Sequence, residues 1–261
     1  MPILAEQGYL IPAVNTADVD YISCACRLAK SLRTWHPAAK ICLLTDQPYE
    51  SHLFDYVQLL PLGDMAVDTQ WKLINDCQSG RASPFRETVK LEADMLVTSN
   101  IDHWWTMFRN RDVVISTGAR DFYGNITTNR FYRKIFDQNC LPDVYNAITY
   151  WRVSETAMEF WKWVRTVFEK WEQYKTLLKF PDAVPTTDLV YAIVAVIMGP
   201  ERVTLPFATY PKIVHMKKHI IGTVTDNWTK ELVWETDGKQ LRVNTVSQTG
   251  LFHYNIKDWK P

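Results

Sequence analysis

Hydrophobic and polar positions recur along the chain with two different periods. Short apolar runs at residues 9–14, 40–44 and 57–60 predict buried strands, and polar or turn residues follow each run. Between the first two runs, residues 18–35 have apolar positions at helical spacing, which predicts an amphipathic helix. A strand, a helix and a strand in this order predict a β-α-β unit, so the sheet should begin parallel.

The middle of the chain continues this pattern and then loses it. Residues 70–78 fit a helix, and a Ser-Pro pair at residues 83–84 interrupts the chain. Residues 88–91 and 113–116 predict two further strands. Residues 117–143 have mixed polarity without a clear period, so we expect an irregular insertion there.

The C-terminal part returns to regular periods. Residues 145–151 predict a strand, 154–178 a long amphipathic helix and 186–198 a shorter, very apolar helix. Residues 231–234 and 241–246 flank an Asp-Gly pair, which predicts a β-hairpin. No repeat, low-complexity segment or linker interrupts the pattern. We therefore predict one α/β domain over the whole chain, with a Rossmann-like mixed sheet flanked by helices.

Composition narrows the class of protein. The chain has 261 residues, 47% of them hydrophobic and 22% charged, as in ordinary soluble globular proteins. Its formal net charge of zero gives no long-range attraction to nucleic acid or anionic membrane, although a local patch is compatible with either. The longest apolar stretch, 189–199, is too short to cross a bilayer, and the N-terminus does not read as a signal peptide. We expect a soluble, cytoplasmic protein without a membrane partner.

Cysteine usage agrees with this expectation. The chain has five cysteines, an odd number, and they form no C-x-x-C pair. This pattern indicates reduced thiols in a reducing compartment and argues against a zinc site.

The triplet Glu92-Ala93-Asp94 is the first candidate for chemistry. It follows an apolar strand, and ligands in open α/β sheets bind at the carboxyl ends of strands. A hard divalent cation binds carboxylate and phosphate oxygens, and it can neutralise the charge of a diphosphate leaving group. The triplet therefore predicts a site for a metal and a nucleotide diphosphate. The alternative is a solvated turn with a capping aspartate.

The C-terminal segment FHYNIKDW at residues 252–259 strengthens the first interpretation. With the acidic triplet, it resembles the family-8-like retaining glycosyltransferases, in which a strand-end D-x-D meets a late H-x-x-G-x-K-P-W-like segment. The resemblance implies the GT-A fold, a Mn²⁺ or Mg²⁺ ion, and a nucleotide-sugar donor such as a UDP-sugar. It implies that Glu92, Asp94 and His253 bind the metal, and that Lys257 contacts the diphosphate.

The chemistry of these residues suits such a site, although the segment departs from the family pattern. Imidazole and carboxylates together suit Mn²⁺, and a lysine is a good point charge for phosphate. Glu92 stands where the family has Asp, Asn255 where it has Gly, and Asp258 where it has Pro. The alternative for His253 is a packed histidine in an edge strand.

Other segments extend the resemblance towards the nucleotide. IPAVNT and the helix after it resemble the family's nucleotide-binding first strand and helix, which makes Asn15, Thr16 and Tyr21 candidates for holding the base. The alternative for Tyr21 is helix packing. SPFRET before the acidic strand resembles a lead-in of related transferases, so Arg86 and Lys90 are candidates for the diphosphate. Lys90 could equally be a surface residue of the strand.

Two candidates fall on the donor-sugar side. Asn146 belongs to a segment that resembles the N-A-G strand facing the donor sugar, with Ile148 in place of Gly. Asp188 matches an acidic or amide position at a helix start, where a carboxylate can bind sugar hydroxyls or stabilise an oxocarbenium-like charge. Its alternative is helix capping. By this resemblance, residues 1–116 form a nucleotide- and metal-binding half. Residues 117–261 form a donor-sugar and acceptor half, with the C-terminal metal and diphosphate segment.

The acceptor is suggested by resemblance alone. The TPFRET-like, KLEADM and HYxxKDW blocks resemble sugar transferases of tailed bacteriophages, which implies hydroxymethylated pyrimidine in phage DNA as acceptor and the host cytoplasm as location. Basic residues interleaved with aromatic ones in 117–143, and a basic cluster at 215–219, could contact DNA. In the insertion these residues are Arg120, Phe122, Tyr123, Arg130, Phe131, Tyr132, Arg133 and Lys134. The alternative is a solvated loop.

Three other functions stay open at this stage. A glycosyltransferase with this site could act on a glycan, a protein or a small molecule. A nucleotidyltransferase would need a glycine-rich loop after the first strand, and residues 15–18 contain no glycine. A non-catalytic sugar- or DNA-binding module would use the eleven tryptophans, but it would not explain the acidic triplet together with His253. Nothing in the sequence indicates an oligomeric state.

Overall fold

The computed structural model describes residues 2–67, 72–126, 133–181, 184–206, 211–217 and 220–261. The strands of these residues are, in chain order, β1 (Ala5–Pro12), β2 (Ile41–Thr45), β3 (Tyr56–Leu59), β4 (Phe85–Leu91), β5 (Met95–Val97), β6 (Val113–Thr117), β7 (Val144–Arg152), β8 (Ile213–His215), β9 (Trp234–Thr236), β10 (Leu241–Val243), β11 (Val246–Ser247) and β12 (Leu251–His253).

The α-helices of the described residues lie between Tyr21 and Val203. They are α1 (Tyr21–Trp35), α2 (Ser79–Ala82), α3 (His103–Phe108), α4 (Lys134–Gln138), α5 (Glu155–Glu169), α6 (Trp171–Leu178), α7 (Thr187–Met198) and α8 (Pro200–Val203). Two 3₁₀ helices add Leu73–Gln78 and Trp228–Lys230.

A six-stranded mixed sheet forms the centre, in the order β3-β2-β1-β4-β7-β6. β1, β2, β3 and β4 run parallel to one another, and β7 lies antiparallel between β4 and β6. The predicted β-α-β unit is confirmed as β1, α1 and β2. Two three-stranded sheets, β5-β12-β8 and β9-β10-β11, contain the C-terminal strands. The predicted architecture, a single α/β domain with a mixed sheet flanked by helices, is confirmed.

Strand β1 shows how the sheet separates two apolar cores. Its side chains alternate, so Leu10 packs into the core under α5 and α7, while Tyr9 and Ile11 pack into the core under α1 and α3. Residues 8–11 of β1 and the whole of β2 are buried on both faces, which explains why these positions read as continuous apolar runs. Because β1 and β4 are parallel neighbours, their carboxyl ends lie next to each other at one edge of the sheet.

Several helix predictions need adjustment. The helix predicted for 18–35 begins at Tyr21, because the Asp20 side chain caps it by accepting from the Ser23 backbone N–H at 2.9 Å. The single helix predicted for 154–178 is two helices, α5 and α6, separated at Lys170. The predicted helix at 70–78 is a 3₁₀ helix over Leu73–Gln78, and residues 70–71 lie outside the described part of the chain.

Short elements account for the remaining differences. The insertion at 117–143 contains α4, and β5, α3, β8 and β12 were not predicted, because each has six residues or fewer. The predicted hairpin is confirmed, with β9 and β10 paired antiparallel across the Asp-Gly turn. Its first strand, predicted at 231–234, lies at Trp234–Thr236, and its second, predicted at 241–246, ends at Val243. None of the helices in the described part of the chain has the length and apolar character that a membrane crossing needs.

Candidate functional site

The acidic triplet lies in the turn between β4 and β5. The Glu92 backbone N–H donates to the Ala147 carbonyl of β7 at 3.2 Å, and the Asp94 carbonyl accepts from the Tyr254 backbone N–H at 3.2 Å. The turn is therefore held between β7 and the C-terminal segment. The Asp94 side chain is only 5% exposed and that of Glu92 31% exposed. This recessed turn differs from the solvated turn that was the alternative interpretation.

Strand β12 places His253 against both carboxylates. β12 pairs antiparallel with β5, so that His253 stands opposite Met95, one residue after Asp94. Its Nε2 lies 2.9 Å from Asp94 Oδ2 and 3.4 Å from Glu92 Oε2. One ligand atom from each of the three side chains falls within 4.8 Å of the others. The structure thus brings together the three residues that the sequence proposed as metal ligands.

The two carboxylates differ in their electrostatics. Desolvation raises the pKa of Glu92, and the neighbouring His253 offsets this only in part. Desolvation acts on Asp94 in the same direction, but His253 and Lys257 outweigh it and hold the pKa of Asp94 far below its usual range. Two carboxylates this close disfavour double ionisation unless positive charge lies between them. The cluster is therefore suited to a cation.

Lys257 brings a further positive charge to the same place. Its ammonium group donates to Asp94 Oδ2 and lies 5.7 Å from the centre of the Tyr21 ring. Burial lowers the pKa of Lys257, but the contact with Asp94 outweighs burial and raises it, so the side chain stays charged. Arg27 supports the loop by donating from Nη2 to the Lys257 carbonyl at 2.9 Å.

The loop between His253 and Lys257 explains one departure from the family pattern. Asn255 has a φ of +60°, in the left-handed region that glycine favours and that asparagine tolerates better than most residues. Asn255 therefore preserves the turn that a glycine would make. Trp259 anchors the far side of the loop, with its ring 4.9 Å from that of Trp228. The other departure, Asp258, is exposed and leaves this packing undisturbed.

The donor-sugar candidates meet on the other side of Glu92. Asn146, on β7, donates from Nδ2 to Glu92 Oε1 at 3.3 Å, and its backbone N–H donates to Asp188 Oδ1 at 2.7 Å. Asp188 Oδ2 accepts from Arg133 Nη1 at 3.1 Å. Helix α7 is capped by Thr186, whose side chain accepts from the Leu189 backbone N–H at 3.3 Å. The capping role proposed as the alternative for Asp188 thus belongs to Thr186.

The two basic candidates for the diphosphate lie elsewhere. Arg86 is at the amino end of β4, roughly 20 Å along the strand from Glu92, and its Nε pairs with Glu6 Oε2 at 3.2 Å. Lys90 is neither at the edge nor on the surface, since it is 1% exposed and its Nζ donates to Asn146 Oδ1 at 2.5 Å. We assign neither residue to the diphosphate, because Arg86 is far from the acidic triplet and Lys90 is enclosed in the core.

The nucleotide candidates line the carboxyl end of β1, beside the cluster. Asn15 Oδ1 accepts from the Ile22 backbone N–H at 3.0 Å, and Thr16 Oγ1 accepts from the Val19 backbone N–H at 3.1 Å. Both side chains therefore shape the entry to α1. Tyr21, the first residue of α1, lies under the Lys257 ammonium, and burial raises the pKa of its hydroxyl.

Three residues proposed for DNA contact are buried, Phe122 in an apolar core and two others in the site. Arg133 is 2% exposed, with its guanidinium 4.1 Å from the centre of the Tyr145 ring, and it pairs with Asp188. The His215 ring is 8% exposed and stacks on the His253 ring at 4.8 Å. Their burial corrects the interpretation of all three as surface groups. Of the same set, Arg130, Phe131, Tyr132, Lys218 and His219 lie outside the described residues.

The sequence offered little that would have assigned these two roles. Arg133 lies in a segment without a period, and its partner Asp188 belongs to a helix that begins more than fifty residues later. His215 meets His253 only because β8 and β12 pair in parallel with those two residues in register.

Solved structures identify the fold. No protein-family model matches the chain, and no curated protein sequence does either. The galactosyltransferase LgtC, solved with donor and acceptor sugar analogues, has a TM-score of 0.56 at 13% identity, over 97% of this chain and 89% of that one. Mouse xyloside xylosyltransferase 1 has a TM-score of 0.53 at 10% identity, over 99% and 100%. The bifunctional glycosyltransferase WbbM has a TM-score of 0.51 at 12% identity, over 96% of this chain and 46% of that one.

These neighbours are glycosyltransferases, and the fold they share with this chain is the GT-A fold. The prediction of that fold is confirmed. At such low identity the likeness concerns the fold, and any activity has to be argued from the residues of the site.

Proposed function

We propose that this protein is a metal-dependent glycosyltransferase that moves a sugar from a nucleotide diphosphate sugar, a UDP-sugar, to an acceptor hydroxyl. The observation that carries the proposal is the convergence of Glu92, Asp94 and His253 beside Lys257. This cluster lies at the strand edge where open α/β sheets bind their ligands. The fold is compatible with the proposal because it is found in glycosyltransferases.

The donor set fits a hard divalent cation. Two carboxylates and one imidazole nitrogen within 4.8 Å of one another suit Mn²⁺ or Mg²⁺. Glu92, Asp94 and His253 would hold the ion. When bound, such an ion neutralises negative charge on the diphosphate and so favours its departure from the sugar.

The remaining residues have roles that their contacts support. Lys257 supplies a second positive charge at the same edge, where an ammonium group can bind a phosphate oxygen. Asn15, Thr16 and Tyr21 would hold the nucleotide at the neighbouring end of β1. Asp188 is fixed by the Asn146 backbone N–H and by Arg133, so its remaining lone pairs can accept from sugar hydroxyls.

The acceptor and the stereochemistry stay predictions from the resemblance. Transfer to hydroxymethylated pyrimidine in phage DNA loses part of its support, because Arg133 and His215 are buried and do not form a basic surface. A glycan, a protein or a small molecule is the alternative acceptor. Retention of anomeric configuration, the division at residue 116 and the cytoplasmic location likewise stay predictions.

Binding of the nucleotide sugar can be tested without an acceptor. Thermal unfolding is followed with UDP-, GDP-, CDP- and ADP-sugars, each with and without Mn²⁺. A ligand at a hundred times its Kd should raise the free energy of unfolding by about 2.7 kcal/mol. We expect UDP-sugars to stabilise the protein only with Mn²⁺, and slow UDP release to accompany binding.

Other outcomes point to other functions. Stabilisation by a sugar or by DNA without metal or nucleotide would favour the non-catalytic binding module. Pyrophosphate release from a sugar phosphate and a nucleoside triphosphate would favour a nucleotidyltransferase. If Mn²⁺ and every nucleotide sugar leave unfolding unchanged, the proposal is wrong.

A further inference from the structure

Lys90 is a buried charge directly beneath the candidate metal cluster. It lies on β4, two residues before Glu92, and is 1% exposed. Its ammonium group contacts three acceptors, namely Asp76 Oδ1, Asn146 Oδ1 at 2.5 Å and the Tyr191 hydroxyl at 2.9 Å. A buried ammonium group is stable only when paired, so this arrangement is demanding to maintain. This cost suggests that Lys90 does more than fill the core.

The protons of this group can be assigned from chemistry alone. An ammonium group has three N–H donors and no acceptor, so Lys90 donates to all three partners. The Tyr191 hydroxyl accepts from Lys90 and donates to Asp76 Oδ2. Burial, together with Asp76, raises the pKa of Tyr191 well above its usual value, so the phenol keeps that proton. Lys90, Asp76 and Tyr191 thus close a triangle of hydrogen bonds.

One N–H of Lys90 points out of this triangle, towards Asn146. Because Lys90 can only donate, the Asn146 carbonyl oxygen must face it, and the Asn146 NH₂ group must face the other way. That NH₂ group lies 3.3 Å from Glu92 Oε1, which accepts. A flipped amide would oppose donor to donor at Lys90 and oxygen to oxygen at Glu92. Lys90 therefore decides the orientation of the amide.

We propose that Lys90 is a positioning residue for Glu92. Held by Asp76 and Tyr191, it fixes the Asn146 amide, which holds Glu92 Oε1 and leaves Oε2 beside His253 at 3.4 Å. This inference rests on the proposed function, in which Glu92 is a metal ligand.

The length of the Glu92 side chain explains why a fixed hydrogen bond to its carboxylate would help metal binding. Glutamate has one more rotatable bond than aspartate, the residue at this position in the family that the chain resembles. A longer arm has more conformations to lose when it binds a metal ion. A fixed hydrogen bond to one of its oxygens removes part of that cost before the ion arrives, as outer-shell partners do in metal sites.

The affinity for Mn²⁺ distinguishes a positioning role of Lys90 from a packing role. Lys90→Met keeps an apolar stem of similar length and removes the ammonium group. Binding of Mn²⁺ alone, without nucleotide, is followed by calorimetry and by the electron paramagnetic resonance signal of free Mn²⁺. We expect the Kd for Mn²⁺ to rise about tenfold or more, the usual effect of losing an outer-shell partner. Thermal unfolding is measured in parallel.

Lys72→Met is the matched control. Lys72 Nζ pairs with Asp64 Oδ2 at 2.6 Å, and both side chains are largely buried, at 16% and 15% exposed. The same substitution removes a comparable ion pair that does not touch Glu92 or Asn146. We expect Lys72→Met to lower thermal stability and to leave the Kd for Mn²⁺ unchanged.

A double variant keeps the test decisive if Lys90→Met does not fold. Lys90→Met with Asp76→Leu removes both charges, so no unpaired carboxylate stays buried, and weaker Mn²⁺ binding is again expected. Wild-type Mn²⁺ binding that survives unchanged in a folded Lys90 variant overturns this inference alone. Equal weakening by Lys72→Met would overturn it as well. A wild-type protein that binds no Mn²⁺ would instead overturn the proposed function.

Discussion

The two ends of strand β4 place charges in opposite settings. At the amino end, Arg86 pairs with Glu6, and Glu87 accepts from Arg109 Nε at 2.8 Å. Each acid there meets one base, and three of the four side chains are at least 44% exposed. At the carboxyl end, two acids converge on one imidazole and one ammonium group in a recess.

The difference shows how to recognise a site among charged residues. Exposed pairs cost little to form and contribute between about 0 and 1 kcal/mol, so a surface accumulates them without selection for function. Neighbouring carboxylates that are partly desolvated oppose folding unless a ligand or partner uses them. The carboxyl end of β4 is therefore the end at which substitutions should affect chemistry, and the amino end should be nearly silent.

Asp94→Asn should have the largest effect. The substitution keeps the size of the side chain and removes the charge that faces His253 and Lys257. We expect Mn²⁺-dependent UDP release to fall by about 100-fold or more, as for loss of a preorganised electrostatic contact. The rate of UDP release per folded molecule is the measurement.

Glu87→Gln makes the same chemical change at the other end of the strand and is the control for Asp94→Asn. It removes the charge that faces Arg109, keeps an oxygen that can accept from Arg109 Nε and the Tyr150 hydroxyl, and should leave UDP release unchanged. Comparable losses in the two variants would mean that the contrast between the ends of β4 has no functional meaning.

Lys257→Met tests the positive charge at the carboxyl end. Loss of a phosphate-binding ammonium group should weaken UDP binding about tenfold in Kd, which corresponds to about 1.4 kcal/mol. Calorimetry with UDP and Mn²⁺ measures it. Lys40→Met removes an exposed lysine that pairs with Asp55 at the amino edge of the sheet, and UDP should bind this variant as it binds wild type. Unchanged UDP affinity in Lys257→Met would remove Lys257 from the nucleotide site.

The length and burial of an element decide whether it could be predicted from the sequence. Residues 8–11 of β1 and all of β2 are buried on both faces, so their apolar runs were visible, and α1 showed its period over fifteen residues. Strands β5 and β12 have three residues each, too few for any period, and their pairing joins positions far apart in the chain.

The candidate site divides in the same way. Glu92 and Asp94 were found from their place after an apolar strand, and His253 through a resemblance of motifs, which already encodes long-range contact. Lys90 was predicted to contact the diphosphate or to lie on the surface, and both predictions assume exposure, because a lysine in a strand normally faces solvent. Only the partners Asp76 and Tyr191, supplied by other elements of the fold, make its burial tolerable. The position of a charge along a strand therefore predicts less than the partners that tertiary structure provides.

Asn255→Val should have an intermediate effect. A β-branched residue at a φ of +60° is strained by about 1–2 kcal/mol, and the strain falls between His253 and Lys257. We expect a lower melting temperature and weaker binding of Mn²⁺ and UDP. Asn255→Gly accepts the same backbone and should keep both affinities. Equal behaviour of the two variants would show that the conformation of this loop does not set the site.

Arg86→Ala should have the smallest effect and is the most direct attempt to break the comparison. Its pair with Glu6 is exposed, at 55% and 80%, so the free energy of unfolding should change by less than about 0.5 kcal/mol. A double-mutant cycle with Glu6→Ala, followed by chemical denaturation, measures the coupling between the two side chains. UDP release should match that of wild type, because roughly 20 Å of strand separates Arg86 from Glu92. A clear loss of UDP release in a stable Arg86→Ala protein would place functional charge at both ends of β4. It would also restore the diphosphate role that the sequence first suggested for this arginine.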